Sequence, residues 1–368
     1  MPLLYDAIAA GMWAFRTAAF RVTTLGAENP EFAPGTLLVA THRRETDVPV
    51  LCPSIYAATA MWRERGRRLC FAVRDDMFAP GFLAGIPGLP LAARRRLYPV
   101  DVVAMMEERL LVYPLRSATE ARLGDVLRAA PEEPLASLAP AEVVERFERR
   151  ARSVGLQPPA QAGDVLRGEF GDLLWMPVQR TRDAGEALGV FWERRAGAAV
   201  RDLRKLVSLL RGGARLLVFP EGYPSATGEI GPLRRGLGAL VRRGRPAAVQ
   251  PIALAYDPVT PGRTRAYVAF GRALTAPADD VEAHVTTALR RTMPLTVGQV
   301  VASRVRDGGR ATEEDLARAV EEARREGRPL EAALLDDKTR RRRLEEALRV
   351  ASRADLAYVA REHASARS

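Results

Sequence analysis

Histidine, lysine and cysteine are scarce in this 368-residue chain, with three histidines, two cysteines and, as the only lysines, Lys205 and Lys338. Cys52 and Cys70 can form neither a disulfide framework nor a zinc-ligand spacing, which fits a reducing cytosol and leaves no metal site to expect. Long hydrophobic runs are missing too. Asp6 and Arg16 interrupt the apolar N-terminal segment, and nothing approaches the ~18 consecutive apolar residues of a membrane-spanning helix. Nor does a basic segment lead into a cleavage site, as in a secretory signal. The chain is therefore expected to be soluble or to lie on a membrane surface. What is abundant is arginine: the net charge is +11, and all but two of the 56 basic residues are Arg. Such a charge can attract nucleic acid, anionic membranes or phosphorylated substrates, or it can reflect an arginine-biased composition. Basic strands interleaved with aromatics are absent, so nucleic acid is not an expected partner.

The length allows one large domain and an appendage. Residues 3–20 predict a helix, because Leu4, Ile8, Met12, Phe15 and Ala19 recur at spacings of three and four. Two placements stay open for it: packed on the domain, or resting on lipid with Trp13 and Phe20 at the boundary. The segments 35–40, 68–73, 172–178, 214–220, 247–256 and 265–271 read as short apolar strands. Helices are expected from Asp47 to about Arg65 and over 201–211, the latter stopped by Gly212 and Gly213. Strands alternating with amphipathic helices predict an α/β fold with a central, largely parallel sheet flanked by helices. Three regions follow: an N-terminal amphipathic helix (1–25), an α/β domain (26–295) with an insert at about 90–165, and a charged helical appendage (296–368). The insert's basic and apolar start could seat on an anionic membrane or form a decorated lid. Within the appendage, Thr312 and Asp315 suit a capping box and Gly327 a helix stop. The arginine run 340–343 reads as a solvated face.

In an open parallel sheet, ligands sit beyond the carboxyl ends of the strands. His42, Arg180 and Glu221 each follow a predicted strand, so they are expected to converge on one rim. In "THRRETD", His42 precedes Asp47 by five positions. A neutral imidazole can take a proton near neutral pH, provided its other nitrogen is held, and Asp47 at the following helix start can hold it. The same spacing also suits an ordinary helix start capped by Asp47. A serine nucleophile in a Gly-x-Ser-x-Gly elbow is missing and Cys52 falls inside a helix, so the base would act directly on a substrate. In "VFPEGYPS", Pro220 ends the strand, and Glu221 and Gly222 open a turn that is either an acceptor site or a plain loop. Arg234 and Arg235 stand at the start of the next helix, where the dipole favours anions.

In order, the chain shows "THRRETD", "FAVRDDMF", "LLWMPVQR", "VFPEG" and "AVQPIALAY". This series resembles the glycerolipid acyltransferase superfamily, which includes the 1-acylglycerol-3-phosphate and glycerol-3-phosphate acyltransferases. The resemblance covers about residues 1–275 apart from the middle section. It implies that His42 is the general base and Asp47 its partner, and that Glu221 and Gly222 belong to the acceptor site. It further implies that Arg180 binds the acceptor phosphate, that Arg74 fills the family's basic position, and that Pro251 shapes a pocket wall. The implied reaction moves an acyl group from acyl-CoA or acyl carrier protein, a co-substrate and not a cofactor, to a hydroxyl of a lysophospholipid or glycerol phosphate. The implied location is cytoplasmic, peripheral on the inner face of the cell membrane, with an anionic lipid surface as partner. Two departures stand out. The family's Phe-Pro-Glu-Gly-Thr-Arg is here Phe-Pro-Glu-Gly-Tyr-Pro-Ser, so its arginine must come from Arg234, Arg235 or Arg182, or the acceptor is not a simple phosphomonoester. The connection between Asp76 and Arg180 is also longer than usual. A non-catalytic lipid-binding or membrane-surface scaffold is the competing reading.

Overall fold

The computed structural model describes residues 3–44, 46–59, 68–74, 90–97, 103–180, 186–225, 229–257, 259–275 and 279–353. In chain order the elements are α1 (Leu3–Ala19), β1 (Phe20–Leu25), β2 (Leu37–Ala40), α2 (Asp47–Thr59), β3 (Leu69–Val73), α3 (Leu91–Leu97), α4 (Val103–Leu110), β4 (Val112–Pro114), β5 (Glu120–Arg122), α5 (Leu123–Ala129), α6 (Leu135–Leu138) and α7 (Ala141–Ser153). They continue with β6 (Pro177–Gln179), α8 (Glu186–Arg211), β7 (Arg215–Val218), α9 (Gly236–Gly244), β8 (Val249–Asp257), β9 (Thr264–Phe270), α10 (Val281–Thr292), α11 (Val297–Arg306), α12 (Glu313–Arg325) and α13 (Asp337–Arg353). Contacts divide the chain into two units: residues 1–71 with 207–368, and residues 72–206.

The first unit holds the central sheet, with strands in the order β1-β9-β8-β2-β7-β3. The pairs β1–β9, β2–β8 and β2–β7 are parallel, and β8–β9 is antiparallel. Helices flank it: α2 packs near β1 and β9, and α10 and α11 against β8. The chain thus has the expected α/β fold. All nine residues of β8 are buried, which explains its continuous run of Val, Ile, Leu and Ala: a strand covered on both faces shows no alternation. Pro251 survives in the middle of this sheet for a specific reason. Its carbonyl faces the β9 side, accepting from Gly271 N–H at 3.0 Å, just before the ladder begins at Ile252–Phe270. The reciprocal bond that its missing N–H would make to the Gly271 carbonyl is supplied instead by Gln250 Nε2, which donates to that oxygen at 2.7 Å. The expected helix over 3–20 ends at Ala19. Residues 20–25, read with that helix, instead form an edge strand paired with β9.

Helices α11, α12 and α13 share a core built from Val297, Val301, Leu316, Leu344 and Ala347, completed by Val259 from the β8–β9 loop. The predicted capping box at Thr312 and Asp315 is present. The reading of residues 340–343 as a solvated face fails at its last position. Arg343 is only 3% exposed and ion-pairs with Asp257, whose side chain is fully buried, and with Glu331 at 3.6 Å and Glu346 at 3.2 Å. The reason is the helical period, which sets Arg343 beside the buried Leu344 and Ala347, against a buried carboxylate that requires a cation.

The second unit has its own apolar core, including Leu123, Leu127, Phe147, Phe170 and Leu174. A two-stranded antiparallel sheet joins β5 to β6. Here the predicted strand over 172–178 is corrected: Leu173–Trp175 form a 3-10 turn, and only Pro177–Gln179 extend, pairing with β5. A short apolar run bounded by Asp and Pro carries no period that separates a strand from a tight turn.

Candidate active site

Because β7, β2 and β8 are neighbours and β2 is parallel to both, their carboxyl ends open side by side. The segment after β2 carries His42, the turn after β7 carries Glu221, and β8 runs on to Tyr256 beyond the end of β2. Residues separated by up to 214 positions are thereby gathered on one rim.

His42 Nδ1 lies 2.9 Å from Asp47 Oδ2; the imidazole is 15% exposed and the carboxylate fully buried. With Nδ1–H donating to a carboxylate, Nε2 keeps its lone pair and can accept a proton. The ring stacks on Phe219, with centroids 4.6 Å apart. Asp47 is held from several sides. Its Oδ2 also accepts the backbone N–H groups of Arg43 and Arg44, and its Oδ1 accepts the Tyr256 hydroxyl at 2.7 Å. Burial, followed by the Asp47 charge, pushes the Tyr256 phenol up, so it stays protonated and donates.

Glu221 is buried and uses both oxygens on backbone: Oε1 accepts His42 N–H and Oε2 accepts Gly231 N–H, each at 2.9 Å. Ser225 N–H donates to the His42 carbonyl at 2.9 Å, so three loop segments are tied together. Gly222 has φ 81°, the left-handed region that glycine enters without steric cost, and a Cβ there would meet Arg234 Nε at 3.0 Å. Arg234 and Arg235 are exposed. The Arg234 guanidinium lies 5.4 Å from the Tyr223 ring centre, and the Arg234 backbone N–H donates to the Pro220 carbonyl at 2.8 Å. Arg235 caps α9. Pro251 is buried within the sheet, in register with Val39 of β2.

Arg74 and Arg180 belong to the second unit. Arg74 directly follows β3. Arg180 is exposed, follows the short β6 and donates its N–H to Thr119 O at 2.8 Å. It therefore does not extend from a main-sheet strand, as its place after the run 172–178 had predicted. Arg182, Asp75 and Asp76 lie outside the described residues.

Sequence reasoning missed Tyr256, Arg43 and Arg44. Arg43 Nη1 donates to Glu229 O at 2.7 Å and lies 3.9 Å from Glu221 Oε2, whereas its Nε and Nη2 are buried without a partner. Burial lowers its pKa, opposed by the charges of Glu221 and Asp47. The Arg44 guanidinium lies 4.6 Å from the Tyr256 ring centre. A tyrosine closing an otherwise apolar strand was the one signal the sequence offered. Both thiols are poor nucleophiles: Cys52 and Cys70 are buried, and burial pushes Cys70 up to about 11 and Cys52 further.

Residues 171–255 match the family model described as Acyltransferase. That segment includes Arg180, Glu221, Gly222, Arg234, Arg235 and Pro251. No curated protein matches the sequence. Among solved structures the chain is similar to the 1-acyl-sn-glycerophosphate acyltransferase PlsC of Thermotoga maritima, at 13% identity over 78% of each chain and a TM-score of 0.38, too distant a likeness to bear on substrate. The family match spans 85 of the 368 residues and makes that segment of the α/β chain similar to acyltransferases.

Proposed function

We propose that this chain transfers a fatty acyl group from acyl-CoA or acyl carrier protein to a hydroxyl of a lysophospholipid or glycerol phosphate, with His42 as general base. The observation that carries the reading is the pairing of His42 with Asp47 beside the Glu221 turn. Nε2 takes the acceptor's hydroxyl proton while the oxygen attacks the thioester carbonyl. The tetrahedral oxyanion collapses, the thiolate leaves, and His42 returns the proton to sulfur. Neither buried thiol need take part, and no cofactor enters the scheme. Arg234, exposed above Gly222, is suited to the acceptor's phosphate in place of the family's missing arginine. Arg74, Arg180 and Arg235 are further cationic candidates, and Pro251 remains a candidate for shaping the pocket wall. Glu221 would act by holding the His42 loop.

The product and a lysophospholipid acceptor are lipids, so the proposed location is the inner face of the cell membrane. None of the described helices is long and apolar enough to cross a bilayer. On α1, Tyr5 is buried, whereas Trp13 and Phe15 are 46% and 42% exposed, so one helix offers both a packed face and an interfacial one.

The test is release of free thiol from acyl-CoA in the presence and absence of a lysophospholipid. Acceptor-dependent release that disappears in His42→Ala, with the circular dichroism spectrum unchanged, supports the reading. Lipid binding by the wild type without thiol release from any acyl thioester would favour the scaffold instead.

A further inference from the structure

The catalytic pair is continued by a third buried group. Tyr256 sits near the end of β8, paired with Ala266 of β9, and its ring is fixed by Phe20 at 5.7 Å and by the Arg44 guanidinium at 4.6 Å. Its hydroxyl is the donor to Asp47 Oδ1, at 2.7 Å, while His42 and two backbone N–H groups share Oδ2. The carboxylate plane is thereby pinned at both oxygens, and that plane decides where the imidazole points. From the sequence, Asp47 is close to His42 and would find it in many loop shapes; Tyr256 arrives from 209 positions away.

We infer that Tyr256 is a positioning residue of the acyl-transfer site, acting through Asp47 to hold His42 in the Nδ1–H tautomer with Nε2 turned to the acceptor. The inference rests on the proposed acyl transfer only for its kinetic consequence. The charged groups facing this chain are Arg44 on the Tyr256 ring, Arg43 near Asp47, and Glu221 at the His42 backbone, and the neutral Thr46 hydroxyl hydrogen-bonds the Tyr256 oxygen. Neither arginine side chain is seen bonded to the Asp47 oxygen that Tyr256 occupies, so the phenol's loss leaves that buried oxygen without a donor.

The experiment uses the full chain in a His284→Gln, His363→Gln background, so that His42 is the remaining histidine, with ring-15N labelling. In Tyr256→Phe the His42 Nδ1–H resonance should move or broaden and the second tautomer should appear. The kcat for thiol release should fall about tenfold with KM for both substrates unchanged. In an Asp47→Asn background the same substitution should cost less than about twofold, because the group it acts through is gone. An unchanged tautomer and an unchanged kcat in Tyr256→Phe would overturn the inference, as would multiplicative losses in the double variant. If Tyr256→Phe does not fold, 3-fluorotyrosine replaces tyrosine with the ring intact, and an unmoved Nδ1–H resonance then overturns it. A wild type that transfers no acyl group, yet shows the resonance change in the variant, would sink the proposed function and leave this inference standing.

Discussion

Arg343→Met tests whether the C-terminal helices are tied to the sheet by charge. The substitution keeps the aliphatic stem and removes the cation. Asp257 then loses its ion-pair partner with its side chain fully buried, and Glu331, 4% exposed, loses one of its two cations, keeping Arg265 at 3.4 Å and the Val297 N–H at 2.9 Å. The carbonyl of Val259 and the hydroxyl of Thr260 lose a donor as well. There is no room to relax: Gly298 packs so closely on the Asp257 carboxylate that even a Cβ there would collide with it. Removing one partner of a buried pair costs about 3–5 kcal/mol, and the fully buried Asp257 carboxylate places this case near 4. With a urea m-value of about 3 kcal/mol/M, the unfolding midpoint should drop by about 1.3 M. The assay is urea denaturation followed by circular dichroism at pH 7. A midpoint shift below about 0.3 M would refute the reasoning.

Three further outcomes are expected. Glu221→Gln presents an amide N–H₂ to either the His42 or the Gly231 N–H, so it should lower thiol release at least tenfold and destabilise the fold by about 1–3 kcal/mol, read by initial rates and by urea melts. Burial pushes the Asp125 carboxyl up, but the Arg122 hydrogen bond and the charges of Arg122, Arg128 and Arg195 outweigh it and hold the group below the usual carboxylate range. Its stabilisation is therefore present at neutral pH and lost as pH falls below about 4; Asp125→Asn should be about 2 kcal/mol less stable at pH 7, with the two melting curves converging in acid. Trp13→Ser with Phe15→Ser should weaken sedimentation with anionic phosphatidylglycerol vesicles about tenfold while sparing the melting temperature; unchanged sedimentation, or none by the wild type, would remove α1 as a membrane contact.

What could be read from the sequence is what acts over short range. His42 and Asp47 meet across one turn, the Phe-Pro-Glu-Gly bend follows from a proline and a glycine, the Thr312 capping box closes over three residues, and continuous apolar runs mark buried strands. What only the tertiary structure decided depends on strand order. β2 lies between β7 and β8, and that adjacency alone sets Glu221 on the His42 backbone and Tyr256 on the Asp47 carboxylate. The same holds for Arg343: four arginines in a row carry no mark of which one is buried, because its counter-charge sits 86 positions away. Residues 172–178 failed for the opposite reason, since too few residues lie between Asp172 and Pro177 for any periodicity to form. Local chemistry is written in neighbouring residues, whereas long-range partners are selected when the sheet closes and buried polar groups must find one another.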